Sequence, residues 1–368
     1  MAGKRRIRLG ILFGGRSGEH EVSLSSASSV IEALDPAEFD VTAIGITKSG
    51  NLAGIDEVRR MLPGRALERA RLYDAIEGRS SRMRLTAGGD GPADSNTGPE
   101  IIFPLLHGPY GEDGTIQGLL EIAGLPYIGC GVLASAVGMD KVVMKRLFQQ
   151  AGLPVVPYLV AAARNLDREM DGLVRAIEND FGYPVFSKPA NLGSSVGVRK
   201  IHAREELEPA LRHAAEFDRK IVVEKGIDAR EIECAILGND DPQASVVGEV
   251  IPAREFYDYE AKYVDPSSRL EIPARIPPAQ AEEIRSLAVR AFQAIDGSGL
   301  ARVDFFLERS TGKVFVNEIN TMPGFTPISM YSKLWAASGI PFVELIRRLI
   351  DLGLERYEER ERRRISMV

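Results

Sequence analysis

The sequence is poor in the residues on which zinc-binding, disulfide-linked and membrane-spanning proteins depend. Among 368 residues there are two cysteines, four histidines and one tryptophan. Cys130 and Cys234 lie far apart and belong to no C-x-x-C pair, which argues against a structural zinc site and against a disulfide framework. We therefore expect two small buried thiols in a cytoplasmic protein.

Charge and hydropathy argue against two further classes of partner. The 46 basic and 52 acidic side chains give a net charge of −6, whereas sequence-independent binding of nucleic acid needs cationic side chains to neutralise phosphates. No run of about 18 apolar residues, the length of a membrane-spanning helix, occurs. The apolar stretch 11–13 is too short for a signal peptide. We expect no nucleic-acid partner and no membrane partner.

Length and pattern predict an α/β protein of two or three domains, at roughly 100–200 residues per domain. The chain up to Lys141 alternates short apolar strands with helical segments, which is typical of an open parallel sheet. Hairpins follow, with a long polar segment over 255–273 that is expected to form a lid. Residues 78–99 are rich in Gly, Ser and Asp and are expected to be a surface excursion.

The alternation of apolar residues also predicts individual elements. The predicted strands are 6–13, 41–46, 100–106, 183–188, 196–201, 220–225, 231–237, 244–251, 300–307 and 313–319. The predicted helices are 22–34, 115–123, 139–151, 204–214, 281–295 and 341–354.

Two common phosphate-binding motifs are missing. The sequence contains neither G-x-x-x-x-G-K-[ST] nor a complete G-x-G-x-x-G, so neither a P-loop enzyme nor an NAD enzyme is supported. The strand, Gly14-Gly15 turn and helix at the start still place a helix N-terminus at a crevice. Such an end usually receives anions. Glu19 there is therefore either a residue that complements the helix dipole or one that holds a substrate ammonium group.

The segment Gly193–Gly197 matches the G-x-S-x-G pattern of serine hydrolases, but its context differs. A nucleophile elbow needs a helix after the serine, whereas 196–201 alternates like a strand. The segment is better suited to a glycine-rich hairpin turn that folds its backbone N–H groups over phosphates. An ordinary tight hairpin is the alternative.

The hairpin near the C-terminus concentrates polar side chains on two apolar strands. Alternation predicts one face with Arg302, Asp304 and Phe306 on the first strand and Val316, Glu318 and Asn320 on the second. If the two faces coincide, two carboxylates and an amide oxygen converge, and these are ligands that Mg²⁺ prefers. A buried salt-bridge cluster is the alternative, although buried charges without partners are costly.

Four lysines lie beside apolar strands, and each of them alone is more often an ordinary solvated lysine: Lys141, Lys188, Lys225 and Lys262. Lys188 and Lys225 each close a strongly apolar strand, which is less usual. Glu224 and Glu231 flank the turn that follows. A carboxylate in that place is suited to accept a hydrogen bond from a ribose hydroxyl.

Taken together, these segments resemble the D-alanine–D-alanine ligase family of the ATP-grasp fold. The similar stretches are GGRSGEHEVSLSS, FPLLHGPYGEDGTIQGLLEIAGLPYIGCG, MDK, KPANLGSSVGV, VEKGIDAREIE, FYDYEAKY, ARVDFF and VNEINTMPGFTPISMY. They follow the family's order from Gly14 to Tyr331. The resemblance implies an α/β ATP-grasp fold, with an N-terminal open parallel-sheet domain over 1–138 and two α+β domains, 139–224 and 225–368, that sandwich ATP.

The resemblance also implies roles for individual residues. Contacts with ATP are implied for Lys141, Lys188, Ser195, Glu224, Lys225, Ile227, Glu231 and Lys262. Catalytic roles are implied for Glu19, Ser194, Tyr263, Arg302 and Gly324, and substrate contacts for His107, Ser329 and Met330. Two Mg²⁺ ions, or Mn²⁺, are implied on Asp304, Glu318 and Asn320.

The implied reaction is ATP-dependent ligation of two D-alanine molecules through a D-alanyl phosphate, for peptidoglycan precursors in a bacterial cytoplasm. The family is typically dimeric, which implies a homodimer. Alternatives are a related ligase with D-serine or D-lactate as second substrate, and a non-catalytic ATP sensor on the same fold. Tyr263 favours an amine nucleophile, because family members that make D-alanyl-D-lactate lack the equivalent tyrosine.

Overall fold

A computed structural model describes residues 5–73, 98–251 and 269–363, and the strands in these ranges form three sheets. The first sheet is parallel, with the strand order β3-β2-β1-β4. Its strands are β1 (Ile7–Gly14), β2 (Phe39–Ile46), β3 (Ala70–Leu72) and β4 (Ile101–Leu105). The helices of this part are α1 (His20–Ala33), α2 (Ile55–Met61), α3 (Gly64–Arg69), α4 (Thr115–Ile122) and α5 (Val132–Met139).

The second sheet is antiparallel and has the strand order β5-β8-β6-β7. Its strands are β5 (Tyr158–Ala162), β6 (Val185–Pro189), β7 (Arg199–Ile201) and β8 (Lys220–Lys225). Helix α6 (Lys141–Gln150) precedes the sheet, and helices α7 (Leu166–Ala176) and α8 (Arg204–Ala215) pack on it.

The third sheet is also antiparallel, with the strand order β11-β10-β9-β12-β13. Its strands are β9 (Ala229–Gly238), β10 (Gln243–Ile251), β11 (Arg269–Glu271), β12 (Gly299–Glu308) and β13 (Val314–Asn320). The remaining helices are α9 (Pro278–Ala294), α10 (Met330–Ala337) and α11 (Phe342–Glu361).

The largest apolar core joins the first sheet to the third. It contains Leu9 and Phe103 from the parallel strands together with Phe325, Tyr331 and Trp335 from the C-terminal part. The strands of the parallel sheet are apolar on both faces because helices cover both, as is usual for such sheets. This shared core fixes the N-terminus of α1 against the loop that precedes α10, and both border the cavity described below.

Most predicted elements are confirmed, with ends shifted by a few residues. The strand predicted over 196–201 begins only at Arg199, because Gly197 has a positive φ angle that an extended strand does not allow. The sequence interpretation missed α2, α3, α5, α7, α10, β3, β5 and β11 as separate elements. The domain limits at 138/139 and 224/225 stay predictions.

The two cysteines are buried, as the composition led us to expect. Cys130 and Cys234 are both buried and unbonded to each other, and burial raises the pKa of the Cys130 thiol to about 11 and that of Cys234 to about 12. Within the described ranges, no helix combines the length and the apolar character needed to cross a bilayer.

Candidate functional site

Most of the predicted site residues border one cavity of about 270 Å³. The cavity lies where the start of α1, the start of α6, the glycine-rich loop, strands β12 and β13 and the loop before α10 meet. The predicted residues that line it are Glu19, His107, Lys141, Ser194, Glu231, Arg302, Asp304, Glu318, Asn320, Gly324, Ser329 and Met330. The fold therefore brings together groups that are up to about three hundred residues apart in the chain.

Glu19 and Ser194 connect the first helix to the glycine-rich loop. The Ser194 hydroxyl donates to Glu19 Oε1 over 2.5 Å, and the Glu19 side chain makes no cap bond to its own helix. Ser194 has φ +49° and Ser195 φ +58°. Two consecutive non-glycine residues in the left-handed region carry strain of the kind found at functional sites. Here that backbone aims the Ser194 hydroxyl at the Glu19 carboxylate.

Two glycines allow the backbone to approach Glu19 closely. A Cβ at Gly108, which has φ +74°, would lie 2.9 Å from Glu19 Oε2. A Cβ at Gly193 would lie 3.4 Å from the same oxygen. A larger residue at Gly108 would therefore displace the Glu19 carboxylate, whereas a Cβ at Gly193 would only make ordinary contact with it.

His107 ties the same region to the loop before α10. Its Nδ1 lies 2.9 Å from the Met322 carbonyl oxygen, which only accepts, so Nδ1 carries the proton. Its Nε2 then accepts from the Ser26 hydroxyl over 3.2 Å, and Ser26 accepts from the Phe325 N–H. Burial lowers the pKa of His107, despite the nearby charge of Glu19. The neutral ring therefore holds the cavity wall in place.

Glu112 is a site residue that the sequence interpretation did not single out, although it lies in the quoted stretch HGPYGEDG. It lines the cavity and is only 9 % exposed. Its Oε1 accepts from the Gly108 N–H over 3.0 Å, while Oε2 has no hydrogen-bond partner among the described residues. Burial, reinforced by the charge of Glu19, raises the pKa of Glu112 well above its usual value. The sequence shows only that Glu112 follows a glycine in this stretch. Its burial depends on the fold and could not be predicted.

Arg302 lies on the cavity face of β12 and is held by two carboxylates. It donates to both oxygens of Asp304 over 2.7 Å and lies 2.9 Å from Glu233 Oε2. Burial alone would lower the pKa of Arg302, but Asp304 and Glu233 raise it further above its usual value. The guanidinium is therefore a fixed positive charge at the cavity wall.

Five of the six side chains that were predicted to share one face of the hairpin line the cavity, and the prediction was wrong for Val316. Asp304 pairs with Glu318, but Phe305 pairs with Val316, so a β-bulge lies between them at Asn317. The bulge turns Val316 into the apolar core, where it is fully buried. Glu318 remains on the cavity side with Asp304. A strict two-residue alternation cannot reveal such an insertion.

Lys141 joins the glycine-rich loop to that hairpin. It is the first residue of α6, whose N-terminus is capped by the Asp140 side chain. Its Nζ donates to the Leu192 carbonyl over 2.6 Å and lies 3.7 Å from Glu318 Oε2. The side chain is therefore anchored at the cavity as the phosphate assignment requires.

Lys188 and Glu224 lie behind the cavity in a buried cluster with a third residue, Lys145. Lys188 contacts Glu224 Oε2, and Lys145 Nζ lies 2.5 Å from Glu224 Oε1. Burial by itself raises the pKa of Glu224, but the charges of Lys145 and Lys188 outweigh it and lower the pKa to about 2. The sequence interpretation missed Lys145. It occupies a position in the helix where the spacing of the neighbouring buried residues predicts another apolar side chain.

The predicted carboxylate site for the second substrate lies at the N-terminus of α10. Ser329 is the N-cap residue, yet its hydroxyl bonds to Thr326 rather than to the helix. Met330 begins the helix, so N–H groups of the first turn remain available to an anion. A Cβ at Gly324 would lie 3.3 Å from Ser329 Oγ. The roles of Ser329 and Met330 in binding a carboxylate, and of Gly324 as an oxyanion donor, stay predictions.

Three further predicted residues, all of them described by the structure, do not line this cavity. Ser195, Lys225 and Ile227 are absent from its described lining. Lys225 ends β8, and its N–H donates to the Pro157 carbonyl. Lys262 and Tyr263, with most of the predicted lid over 255–273, lie outside the described residues. So does nearly all of the predicted excursion over 78–99.

The donor set at β12 and β13 fits a hard cation. Asp304 and Glu318 are paired across the two strands, and Asn320 follows on the same cavity wall. Carboxylate and amide oxygens suit Mg²⁺ and Mn²⁺, which take a few protein oxygens and complete their shell with phosphate and water. Asn320 Oδ1 also accepts from the Met322 N–H over 3.0 Å, which fixes the orientation of the amide.

Family models and known proteins match this chain over nearly its whole length. The family model for the D-Ala–D-Ala ligase N-terminus matches residues 8–130, and the one for the C-terminus matches residues 147–351. The D-alanine–D-alanine ligase of Acetivibrio thermocellus is 50 % identical over 371 residues, with 98 % of each chain covered. That of Heliobacterium modesticaldum is 51 % identical over 356 residues, with 96 % of each covered.

Two solved structures share the fold. The D-alanine–D-alanine ligase from Coxiella burnetii superposes with a TM-score of 0.79 at 34 % identity, covering 97 % of each chain. The VanG D-Ala:D-Ser ligase from Enterococcus faecalis also has a TM-score of 0.79, at 35 % identity, covering 95 % of this chain and 100 % of the other. The resemblance inferred from the motifs and the expected fold class are both confirmed. The chain belongs to the D-alanine–D-alanine ligase family and has its ATP-grasp fold.

Proposed function

We propose that the protein joins two D-alanine molecules into D-alanyl-D-alanine, with conversion of ATP to ADP and phosphate. The observation that carries this proposal is the composition of the cavity wall. One side presents the Glu19 carboxylate, another the Arg302 guanidinium, and a third the N-terminus of α10. Two zwitterionic amino acids need a carboxylate for an ammonium group and cationic or N–H donors for their carboxyl groups.

In this proposal the first D-alanine binds through its ammonium group to Glu19. The Ser194 hydroxyl holds that carboxylate in position over 2.5 Å. The carboxylate oxygen of the first D-alanine attacks the terminal phosphorus of ATP, and ADP leaves. The amine of the second D-alanine then attacks the acyl carbon of the D-alanyl phosphate, gives up a proton, and phosphate leaves.

Arg302 and the Gly324 N–H are proposed to stabilise the oxyanion formed in the second step. Arg302 is already fixed by Asp304 and Glu233, so little reorganisation is needed when charge develops. The N-terminus of α10, beginning at Met330, is proposed to bind the carboxylate of the second D-alanine, with Ser329 at its cap. His107 supports this wall through Met322.

The nucleotide is proposed to bind along the cationic side of the site. Lys141 and Lys188 supply charge for the phosphates, and Glu224, Lys225, Ile227 and Glu231 form the base and ribose contacts. The Ser195 segment and Lys262 are proposed to cover the phosphates. Asp304, Glu318 and Asn320 would hold two Mg²⁺ ions, which neutralise phosphate charge when bound.

Phosphate release from ATP with D-alanine, L-alanine, D-serine and D-lactate, with product identification by mass, tests this proposal. We expect phosphate release to depend on D-alanine and to yield one dipeptide per ATP consumed. ATP binding without turnover on any of the four would contradict the proposal and favour an ATP sensor.

A D-alanyl-D-serine ligase is a second candidate function. It is favoured by the structural likeness to the VanG D-Ala:D-Ser ligase, at the same TM-score of 0.79 as the D-alanine–D-alanine ligase structure. D-serine differs from D-alanine by one hydroxyl, and apolar pockets reject such analogues poorly. Competition between the two amino acids at equal concentration, read by product mass, separates the candidates. That Tyr263 disfavours D-lactate as the second substrate remains a prediction.

We also propose that the protein is a cytoplasmic homodimer that supplies peptidoglycan precursors. The support is the family membership and the dependence of the reaction on ATP. Sedimentation of the purified protein across a concentration series tests the dimer. A single monomer-sized species at all concentrations would contradict it.

A further inference from the structure

Lys145 occupies a position where an apolar residue would be expected. It lies one helical turn after Lys141 in α6, between the buried Met144 and Phe148, and is 1 % exposed. A buried ion pair seldom stabilises a fold more than well-packed apolar side chains of similar volume. The presence of a lysine at this position therefore calls for a role other than stability.

The contacts of Lys145 join two parts of the proposed nucleotide site. Its Nζ lies 2.5 Å from Glu224 Oε1 at the end of β8 and donates to the Asn317 carbonyl over 3.3 Å. Asn317 is the bulge residue that turns Glu318 to the cavity. One ammonium group thus links the strand end assigned to the adenine with the hairpin assigned to the metal ions.

The charges of this cluster leave one positive charge in excess. Glu224 is 2 % exposed and, with a pKa of about 2, stays ionised at neutral pH. It is matched by Lys145, which is 1 % exposed, and by Lys188, whose side chain is 12 % exposed. The excess charge therefore resides at the more accessible end of the cluster, on Lys188.

The neighbouring charges also explain why the cluster requires both lysines. Burial and the charge of Lys188 lower the pKa of Lys145, although Glu224 opposes the change. Glu224 faces two cations, whereas Lys145 faces two anions, Glu224 and Glu318, and one cation, Lys188. Without Lys145, Glu224 would neutralise Lys188.

We propose that Lys145 is a positioning residue for the nucleotide: by neutralising Glu224 it leaves the charge of Lys188 available to phosphate, and it holds the Asn317 bulge. This inference rests on the proposed function for the identity of the nucleotide, but not on turnover. Lys145 itself is buried behind the cavity and is not expected to touch ATP.

Lys145→Met tests the proposal, because methionine matches the length of lysine and suits a buried helix position. We expect the Kd for ATP, measured by calorimetry without D-alanine, to rise about tenfold. The KM for ATP is expected to rise similarly, while kcat at saturating ATP and the KM for D-alanine change less than about twofold.

A second substitution separates charge balance from packing. Glu224→Gln keeps a carbonyl oxygen but removes the charge, so Lys145→Met/Glu224→Gln restores one net positive charge. We expect the double variant to bind ATP more tightly than Lys145→Met and within about fivefold of the wild type, with the remaining loss due to the proposed base contact of Glu224. A double variant as weak as the single one would overturn the proposal.

The matched control is Lys220→Met. Lys220 is a partly buried lysine of β8 that is paired with Asp140 at the start of the same helix, and it does not line the cavity. We expect a lower unfolding temperature with the Kd for ATP unchanged. An equal loss of ATP affinity in Lys220→Met would assign the effect to displacement of α6 and overturn the proposal.

The measurements keep the two proposals distinguishable. Should the wild type bind ATP but form no dipeptide, a tenfold weaker Kd in Lys145→Met still supports the positioning role while the proposed function fails. Dipeptide formation by the wild type together with unchanged ATP binding in Lys145→Met would overturn the positioning role alone. Should Lys145→Met fail to fold, the double variant carries the test, since ATP binding more than tenfold weaker there contradicts the charge balance.

Discussion

Glu112 lines the cavity and Glu224 lies behind it, and each is a glutamate removed from water. Glu224 is 2 % exposed and lies between Lys145 and Lys188. Glu112 is 9 % exposed, with the negative charge of Glu19 nearby and one oxygen that has no hydrogen-bond partner among the described residues. Their surroundings thus have opposite charge although both are buried.

The pKa values of the two groups move in opposite directions. Burial alone raises both, but the two lysines reverse its effect at Glu224 and lower the pKa to about 2. At Glu112 burial and the charge of Glu19 act together and raise the pKa well above its usual value. Burial therefore strengthens the effect of nearby charges on the pKa, and the sign of those charges determines the direction of the pKa shift.

This difference matches the two kinds of ligand. Excess positive charge near Glu224 suits the phosphates of a nucleotide, whereas an acid-rich end near Glu19 suits an ammonium group. The comparison predicts that substitutions at one end will change the binding of one substrate and leave the other nearly unaffected.

The largest expected effect follows from Glu19→Gln. Loss of a hydrogen bond to a charged group costs about 1.5–3 kcal/mol, so the kcat/KM for D-alanine is expected to fall by about 10- to 100-fold. The Kd for ATP should stay within about twofold. Glu21→Gln is the matched control, since Glu21 is in the first turn of the same helix and its side chain is 72 % exposed. Equal losses in both variants would favour the helix-dipole role for Glu19.

The second prediction concerns the acid stability that Glu224 provides. Because its folded pKa is about 2 against the usual 4.5, its contribution is complete above the unfolded pKa and is lost as pH falls towards 2. The difference in unfolding free energy between wild type and Glu224→Gln should therefore shrink by about 2 kcal/mol from about pH 6 to about pH 3. Urea unfolding across this range measures it. A difference independent of pH would contradict the lysine-paired state.

The third prediction has the opposite sign and concerns Glu112→Gln. A raised folded pKa means that the unfolded chain ionises first as pH rises through the usual value of 4.5, and this favours unfolding. Wild type should therefore lose stability relative to Glu112→Gln as pH rises above that value, until the folded carboxyl ionises as well. Paired urea unfolding curves at several pH values measure the difference. The opposite result would be an unfolding free energy of wild type that rises relative to that of the variant as pH rises. It would mean that cationic neighbours outweigh burial and the charge of Glu19 at Glu112.

The smallest expected effect follows from Gly324→Ala. The added Cβ would lie 3.3 Å from Ser329 Oγ, which requires a shift of a few tenths of an ångström. We expect the KM for the second D-alanine to rise by roughly threefold, about 0.6 kcal/mol, with ATP binding unchanged. Gly172→Ala in α7 is the control, because a Cβ there meets nothing within 4 Å. It should leave activity unchanged and raise stability by about 0.5–1 kcal/mol.

The sequence by itself determined the family, ten of the thirteen strands that the structure describes and most of the predicted polar residues of the cavity. Motifs such as those around Glu19, Ser194 and Arg302 are local, and their chemistry can be recognised from residue type and spacing. The alternation of β12 was also correctly predicted, since buried and partly buried residues follow a period of two from Ala301 to Glu308.

Only the tertiary structure decided which charges are buried and what they face. The bulge at Asn317 places Val316 in the core, and the sequence pattern of β13 does not predict that insertion. Lys145 and Glu224 are 79 positions apart by numbering, and their ion pair exists because α6 packs against β8. The electrostatic character of a buried group depends on neighbours from distant segments, so the roles of Lys145 and Glu112 became visible only once those segments were in contact.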